Sequence, residues 1–193
     1  MIPLQNAFFI FLHVIEYKIN GKRVKKRMSD INVTTGSENV YAEDTVSGKY
    51  LTFRVADGEY GITIAAVIDI IKLQEITPVP HMPDYVRGIT NLRGTIAPVI
   101  DMRLRFGHQE MAYDERTCII VLSMNDMNIG LIVEEVREVA DIGTDSIQPP
   151  PKSTGEAVRN NFVESIGTFD GRVRQLLDIN RVFDIADYDS TVG

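Results

Sequence analysis

Residues 76–106 read ITPVPHMPDYVRGITNLRGTIAPVIDMRLRF, and two runs rich in β-branched residues lie within this stretch on either side of a short turn. Residues 89–92 and 95–100 are typical of strands, and the Arg93-Gly94 dipeptide between them supplies one residue that can adopt a positive φ. The stretch therefore predicts a tight β-hairpin with Arg93 at its bend. Pro98 has no N–H, which favours a strand edge or a bulge and makes that edge a candidate surface.

The composition is that of an ordinary globular protein. Of 193 residues, 44% are apolar and 24% are charged, which suffices for one domain, or two small ones, with a sizeable core. The charge is uneven, because six basic residues against Glu16 give residues 1–27 a charge of +5 and leave −12 for residues 28–193. Such an acidic body repels phosphate groups, so neither nucleic acid nor an anionic membrane is expected as the main partner.

The amino-terminal residues differ from the rest. Residues 7–15 form an apolar run about half as long as a bilayer requires, and the positive charges follow it, whereas a signal peptide carries them in front. Neither export nor direct membrane insertion is expected. Because the composition changes at Met28, we interpret residues 1–27 as a non-native upstream extension, with a peripheral membrane anchor as the alternative. Residues 28–48 are then a flexible lead-in and residues 188–193 a tail.

One pattern of residues occurs twice in the chain. Counted from Gly61 and from Gly130, apolar residues recur at the same offsets, and the eighth position is acidic in both copies, as Asp69 and as Glu138. The chain around each glycine reads as a hairpin followed by a third strand. We expect two similar units of about five strands, each a small barrel or strongly bent sheet, which share one core.

A second block repeats downstream of the first. Counted from Gly94 and from Gly171, apolar residues again match, and the seventh position is aspartate in both copies, Asp101 and Asp178. The copies are 69 residues apart at the first pair of glycines and 77 at the second, which predicts an eight-residue insertion in the loop at 149–161. Each aspartate is predicted to be the N-cap of a short helical turn rather than a catalytic group.

The sequence contains no pattern typical of an enzyme, a metal site or a cofactor site. The three histidines, His13, His81 and His108, do not share a metal-ligand spacing with one another or with Cys118. His81 is predicted to lie exposed in a loop, and Cys118, inside an apolar run, to be a buried and reduced structural thiol typical of the cytosol. Three carboxylates are interpreted as a solvated face rather than as a glycosidase-like pair: Glu134, Glu135 and Glu138.

The chain resembles the CheW coupling proteins of bacterial chemotaxis over residues 49–183. The similar segments are, in order, YLTFRV, DGEYGITIAAVIDI, the stretch from ITPVPHMPDYVRGITNLRG to PVIDMRLRFG, TCIIVL, NIGLIVEEVREV, IQPPP and ESIGTFDGRVRQLLDINRVF. The resemblance implies a mainly β, CheW-like domain over residues 49–187, with two five-stranded, SH3-like β-barrels, a shared hydrophobic core and a few short helical turns.

The resemblance also implies an activity and its partners. A CheW-like chain is a non-enzymatic cytoplasmic adaptor without cofactors, which links the cytoplasmic hairpin tips of membrane-embedded, methyl-accepting chemoreceptors to the regulatory domain of a CheA-type histidine kinase. By position, the implied receptor-binding residues are Val67, Asp69, Ile70, Gly88, Asn91 and Arg93. The implied kinase-binding residues are Ile147, Gln148 and Pro149.

Each of these assignments has an alternative explanation without a binding role. A turn arginine such as Arg93 is more often a solubilising group, and Val67 and Ile70 are as readily core residues, of which we expect one to be buried. The alternative function is a β-barrel that binds a small ligand or an oligonucleotide, which would need a basic groove with aromatic residues, whereas this body is acidic and has no Trp. A further alternative keeps the adaptor but assigns it to a non-chemotaxis kinase pathway.

Overall fold

The structure is a computed structural model that describes residues 48–92, 94–124, 127–151 and 162–183. The predictions for residues 1–27, for most of the lead-in, for the bend at Arg93 and for the tail lie outside the described residues. The strands are β1 (Lys49–Val55), β2 (Gly58–Thr63), β3 (Val67–Lys72), β4 (Val86–Leu92), β5 (Thr95–Asp101), β6 (Cys118–Met124), β7 (Met127–Val133), β8 (Glu135–Asp141), β9 (Ile147–Gln148), β10 (Val163–Phe169) and β11 (Arg172–Leu177). Two short helices follow β5 and β11, namely α1 (Met102–Arg105) and α2 (Ile179–Val182).

The predicted hairpin is confirmed as the pair β4–β5. Leu92 stands opposite Thr95, and Gly94 takes a φ of +85°. Pro98 differs from the prediction, because β5 lies between β7 and β4 and is not an edge strand. Its missing N–H costs nothing there: its partner Ile89 exchanges both backbone hydrogen bonds with Thr77, and pairing with β7 begins one residue later. Of the two strands of this hairpin, β4 is the edge strand.

The two sheets do not coincide with the two sequence copies. The first sheet has the order β8-β1-β2-β11-β10-β9 and the second has the order β3-β6-β7-β5-β4, so each sheet takes strands from both copies. The expectation that each copy forms its own barrel was therefore wrong. The physical reason lies after β2, where the 3-10 turn Ile64–Ala66 redirects the chain and β3 pairs with β6 of the other copy. In the second copy, β8 likewise leaves β7 and pairs with β1.

The predicted fold class is confirmed, and one core serves both sheets. The largest cluster of buried apolar side chains draws on both, including Phe53 and Ile62 of the first sheet and Ile120 and Leu131 of the second, all at most 1% exposed. Each such side chain contributes about 1.5–3 kcal/mol through its burial. Because the two sheets share this cluster, neither is expected to be stable alone.

Both predicted N-caps are confirmed. The Asp101 carboxylate accepts hydrogen bonds from the backbone N–H groups of Arg103 at 2.8 Å and Leu104 at 3.2 Å, and the Asp178 carboxylate accepts from that of Asn180 at 2.9 Å. The predictions for Cys118 and His81 are also confirmed, since Cys118 is buried and His81 is exposed. Burial raises the pKa of the Cys118 thiol to about 12, which keeps it protonated and unreactive at neutral pH.

An arginine joins the ends of the two copies. Arg105 of α1 donates from Nε to the carbonyl of Val182 in α2 at 2.8 Å. Its guanidinium lies over the ring of Tyr85 at 4.2 Å and over that of Phe162 at 4.6 Å. A planar cation between two rings gains both packing and cation–π attraction, so this contact helps to hold the carboxyl-terminal helix on the first copy.

The interpretation of three glutamates as a solvated face was wrong for two of them. The side chains of Glu134 and Glu135 are only 13% and 10% exposed, whereas Glu138 is 48% exposed. Glu134 accepts hydrogen bonds from Arg54 Nη1 at 2.8 Å, from Arg103 Nη1 at 2.6 Å and from the Ala56 amide at 2.9 Å. It stands between β7 and β8, where the chain passes from the second sheet to the first, so these bonds hold the two sheets together.

The Glu134 carboxylate is expected to make stability fall in acid. Burial alone would raise the pKa of Glu134, but the hydrogen bonds from Ala56 and Arg103 and the charges of Arg54 and Arg103 outweigh burial and lower it below the ordinary 4.5. A lowered folded pKa means that the stabilisation is fully present above that ordinary value and is lost as the pH falls through the folded pKa. The free energies of urea unfolding of the wild type and of Glu134→Gln should therefore differ at neutral pH and converge as the pH falls through the lowered pKa of Glu134. A difference that stays constant with pH would contradict this assignment.

Candidate partner-binding faces

The second sheet curls so that its two outer strands approach each other. A second apolar cluster, which we call the second-sheet cluster, contains side chains from every strand of this sheet: Ile68, Ile71, Leu92, Ala97, Val99, Ile119, Val121 and Ile132. Leu92 of β4 reaches across β5, since its Cδ1 would lie 3.3 Å from a Cβ at Gly130 in β7. Residues of β3 and of the β4–β5 hairpin therefore contribute to one apolar cluster inside the curled sheet.

A β-bulge turns Asp69 into this curled face. Val67 pairs with Leu122 and Asp69 pairs with Val121, so Ile68 is the extra residue on β3. Cross-strand partners point to the same face, which places Asp69 with Val121 on the side of the second-sheet cluster. The carboxylate is only 4% exposed, and its Oδ1 accepts a hydrogen bond from the Ile70 amide at 2.8 Å. An acidic group thus lies in largely apolar surroundings.

Val67 and Ile70 occupy different environments. Val67 is 0% exposed within the core shared by both sheets, whereas Ile70 is half-buried and packs against the margin of that core. The expectation that one of the two is buried is confirmed. Since the Val67 side chain has no surface to offer while the sheets are intact, its contribution to any contact is to hold β3 in position.

Gly88 lies where the backbone of residues 76–78 passes along β4. It has a φ of +137°, and a Cβ at this position would stand 2.1 Å from the Thr77 carbonyl oxygen. Thr77 and Ile89 exchange backbone hydrogen bonds of 2.9 Å, and the Thr90 hydroxyl donates to the Glu75 carbonyl at 2.7 Å. Residues 75–77 therefore cover the edge of β4, and Gly88 makes this close approach possible. Sequence reasoning missed this contact.

The hairpin tip presents polar and apolar groups to solvent. The exposed Asn91 accepts a hydrogen bond at Oδ1 from the Gly94 amide at 2.7 Å, which fixes the shape of the tip. Arg93 lies outside the described residues. Ile96, the cross-strand partner of Asn91, is 64% exposed, although sequence reasoning did not single it out. The structure thus brings Asp69, Gly88 and Asn91 to one curled sheet. Val67 belongs to the same sheet, but its side chain faces the core shared by both sheets.

The predicted kinase-binding residues lie on the other sheet. Ile147 and Gln148 form β9, the outermost strand of the first sheet, and pair with Gly167 and Ile166 of β10. Ile147 packs half-buried against a small apolar cluster, whereas Gln148 and Pro149 are exposed. The outer side of β9 therefore forms a short edge followed by three consecutive prolines.

The interior of the first sheet holds a buried arginine that sequence reasoning missed. Arg174 of β11 is 1% exposed, and its Nη2 lies 2.8 Å from Oε1 of Glu138 on β8. Strands β1 and β2 separate these two strands in the sheet, so one side chain can span them only because the first sheet is also curled. The Phe169 carbonyl accepts from Nη1 at 2.7 Å, and Glu59 lies 3.7 Å from Nε.

The sequence repeat offered a signal for this arginine. Glu138 and Asp69 are equivalent in the two copies, and Arg174 is equivalent to Ala97, three positions after the turn glycine. In the first sheet the buried Arg174 pairs with Glu138, whereas the second sheet has alanine at the place of the arginine. This asymmetry distinguishes the two curled sheets chemically.

The described ranges offer neither a metal-binding cluster nor a membrane-spanning helix. They contain no group of three His, Cys, Asp or Glu side chains arranged to hold a metal ion. None of the helices in these ranges has the length and hydropathy that crossing a bilayer demands.

Comparisons with known proteins identify the relatives of this chain. A family model described as "CheW-like domain" matches residues 49–187. Proteins named "Chemotaxis protein CheW" from Klebsiella aerogenes and Bacillus subtilis are 33% identical over 141 residues and 32% identical over 143, covering 73% and 74% of this chain and 84% and 91% of theirs. The crystal structure of the scaffolding protein TtCheW from Thermoanaerobacter tengcongensis matches with a TM-score of 0.65 and 34% identity, over 72% of this chain and 94% of that one.

Proposed function

This chain belongs to the CheW-like domain family of non-enzymatic chemotaxis adaptors, and on that premise we propose that it joins the cytoplasmic hairpin tips of chemoreceptors to a CheA-type histidine kinase through two separate faces. One observation carries the proposal. Five of the six residues assigned to the receptor belong to the second sheet, and the three assigned to the kinase adjoin the outer edge of the first. Contacts on different sheets can be made at the same time, as an adaptor requires.

The proposed receptor face consists of Asp69, Ile70, Gly88, Asn91 and Arg93, with Val67 as support from below. Ile70 supplies apolar surface for the helical hairpin of a receptor tip, and Asn91 and Arg93 supply polar groups. The largely enclosed carboxylate of Asp69 helps to fix the register of the receptor contact through charge-assisted bonds. Gly88 acts indirectly, by letting residues 76–78 lie against the edge strand.

The proposed kinase face consists of Ile147, Gln148 and Pro149 and contacts the regulatory domain of the kinase. The outer edge of β9 can pair with a strand of a partner or pack against its sheet, and Gln148 and Pro149 are exposed. Each interface is expected to be modest alone and to gain strength in a membrane-associated receptor array, where many weak contacts act together in the cytoplasm.

The curled sheets argue against the alternative of a ligand-binding or oligonucleotide-binding barrel. Arg174 and its partners fill the interior of the first sheet, and the second-sheet cluster fills that of the second. A barrel that binds within its interior would need an open cavity in place of these side chains.

A binding titration tests the proposal. The full chain is titrated with the kinase regulatory domain and with a receptor tip fragment from the same cell, first separately and then with one partner saturating. Binding of both, without competition, is the expected result. If the folded protein binds neither, or if the partners exclude one another, the two-face adaptor is wrong.

The Arg93→Glu variant should weaken receptor binding selectively. If Arg93 is a central anchor at the hairpin tip, charge reversal costs about 1–3 kcal/mol, or roughly 5–150-fold in Kd, and leaves kinase binding unchanged. Arg172→Glu is the matched control, because Arg172 is exposed beside the turn of the equivalent hairpin in the first sheet. Equal receptor affinity in the wild type and Arg93→Glu would remove Arg93 from the site.

A further inference from the structure

A polar cleft of about 300 Å³ lies beside the ion pairs of Glu134, away from both proposed faces. The β1–β2 turn, helix α1 and the segment that joins the two sequence copies form its walls. Three arginines line it, namely Arg54 at the end of β1, Arg103 of α1 and Arg116 of the joining segment. Their side chains are 25%, 23% and 47% exposed, so solvent and solutes reach them.

Two of these guanidinium groups have a terminal nitrogen that makes no hydrogen bond. Arg54 and Arg103 both donate through Nε and Nη1, and Arg116 donates through Nε and Nη2 to Asp114. Within the described ranges, no hydrogen bond engages Nη2 of Arg54 or Nη2 of Arg103, and Nη1 of Arg116 has only a long ion pair of 3.9 Å with Glu135. Arginine donors without a hydrogen bond at a partly buried position are suited to an incoming oxyanion.

The lining of the cleft is locally neutral, with three arginines against Asp57, Asp114 and Glu134, inside a protein that is acidic overall. Four arginines and three carboxylates form the connected network, which comprises Arg54, Arg103, Arg116, Arg137, Glu134, Glu135 and Asp114. Glu134 pairs with Arg54 and Arg103, and Glu135 pairs with Arg54, Arg116 and Arg137. The remaining acidic residue of the lining, Asp57, is exposed in the β1–β2 turn at the mouth.

We propose that this cleft binds an oxyanion, a carboxylate or a phosphate, on the Nη2 donors of Arg54 and Arg103, with Arg116 contributing its weakly paired Nη1. The anion is either a small free solute or the acidic side chain of a protein segment, and both present the same oxygen acceptors. Met111 also lines the cleft and is 48% exposed, which provides an apolar surface for the carbon chain that bears the anion. The site is independent of the receptor and kinase faces.

Titration of the full chain at low ionic strength with two probes tests this site. A fluorescently labelled tetraglutamate peptide with blocked ends is followed by anisotropy, and inorganic phosphate is followed by calorimetry. Arg116→Gln should weaken binding about tenfold, since a hydrogen bond to a charged group is worth about 1.5–3 kcal/mol. Added salt should weaken binding as well. Arg116 is chosen because it is the most exposed of the three, so the variant is expected to fold.

Arg172→Gln is the matched control, because it removes an exposed arginine from the first sheet without touching the cleft. Loss of affinity in Arg116→Gln but not in Arg172→Gln supports the site. Binding of phosphate then indicates a free anion as the ligand, and binding of the peptide alone indicates an acidic protein segment. If neither probe binds saturably, or if the two variants behave alike, the proposal is overturned. Receptor and kinase binding by Arg116→Gln should stay at the wild-type level whatever this result.

Discussion

The Gly88→Ala variant is expected to lower the free energy of unfolding by about 2–5 kcal/mol, because it combines backbone strain with a steric overlap. A φ of +137° is unfavourable for alanine, and the new Cβ would stand 2.1 Å from the Thr77 carbonyl oxygen and 2.7 Å from its carbon. Both atoms are backbone, so relief requires residues 76–78 to move away from β4. Urea unfolding of the purified variant measures the loss.

The Gly94→Ala variant separates the two causes. Gly94 also has a positive φ, of +85°, but nothing lies within 4 Å of a Cβ there. This control should therefore lose only the strain term, about 1 kcal/mol. If the variants are equally stable, the close approach of Thr77 does not constrain Gly88. If Gly88→Ala also loses receptor binding at temperatures where it remains folded, the position of residues 76–78 matters to the proposed receptor face.

Local features of the fold could be predicted from the sequence because they depend on neighbours in the chain. The β4–β5 hairpin follows from alternating β-branched runs around one glycine, and the caps at Asp101 and Asp178 follow from a carboxylate before a short turn. The exchange of strands between the copies could not be predicted in this way. The same apolar pattern satisfies β3 whether it pairs within its own copy or with β6, and only the turn at Ile64–Ala66 decides between them.

The charged residues show where sequence patterns fail. Glu134 and Glu135 are adjacent acidic residues, a pattern typical of a solvated face. Their arginine partners lie up to 81 residues away along the chain, so local sequence does not indicate the ion pairs. Arg174 could have been noticed through its equivalence to Ala97, since a charge in place of a small apolar residue in a repeat needs a partner. For the proposed receptor face, the family resemblance suggested the residues, and the structure adds that Val67 is fully buried whereas Ile70 is half-buried.

The Glu138→Ala variant is expected to lower the free energy of unfolding by about 3 kcal/mol, near the lower end of values for a broken buried ion pair. The change leaves Arg174 buried at 1% exposure without its 2.8 Å counter-ion, and Glu59, at 3.7 Å, compensates only partly. Urea unfolding measures the loss. Glu110→Ala is the matched control, because its ion pair with Arg87 is nearly as short, 2.9 Å, but its side chain is 64% exposed. Exposed pairs of this kind are worth about 0–1 kcal/mol.

The double variant Glu138→Ala with Arg174→Met tests whether the penalty comes from the unpaired charge. Methionine fills much of the volume of the arginine stem and needs no counter-ion, so removal of both charges should recover part of the stability that Glu138→Ala loses. The two changes should therefore be strongly non-additive. If the double variant is as unstable as the sum of the single variants, Arg174 acts by packing alone and the carboxylate of Glu138 does not close the first sheet. If stability recovers, the loss in Glu138→Ala comes from the buried charge of Arg174, which in the wild type is neutralised by an ion pair between β11 and β8 across two intervening strands.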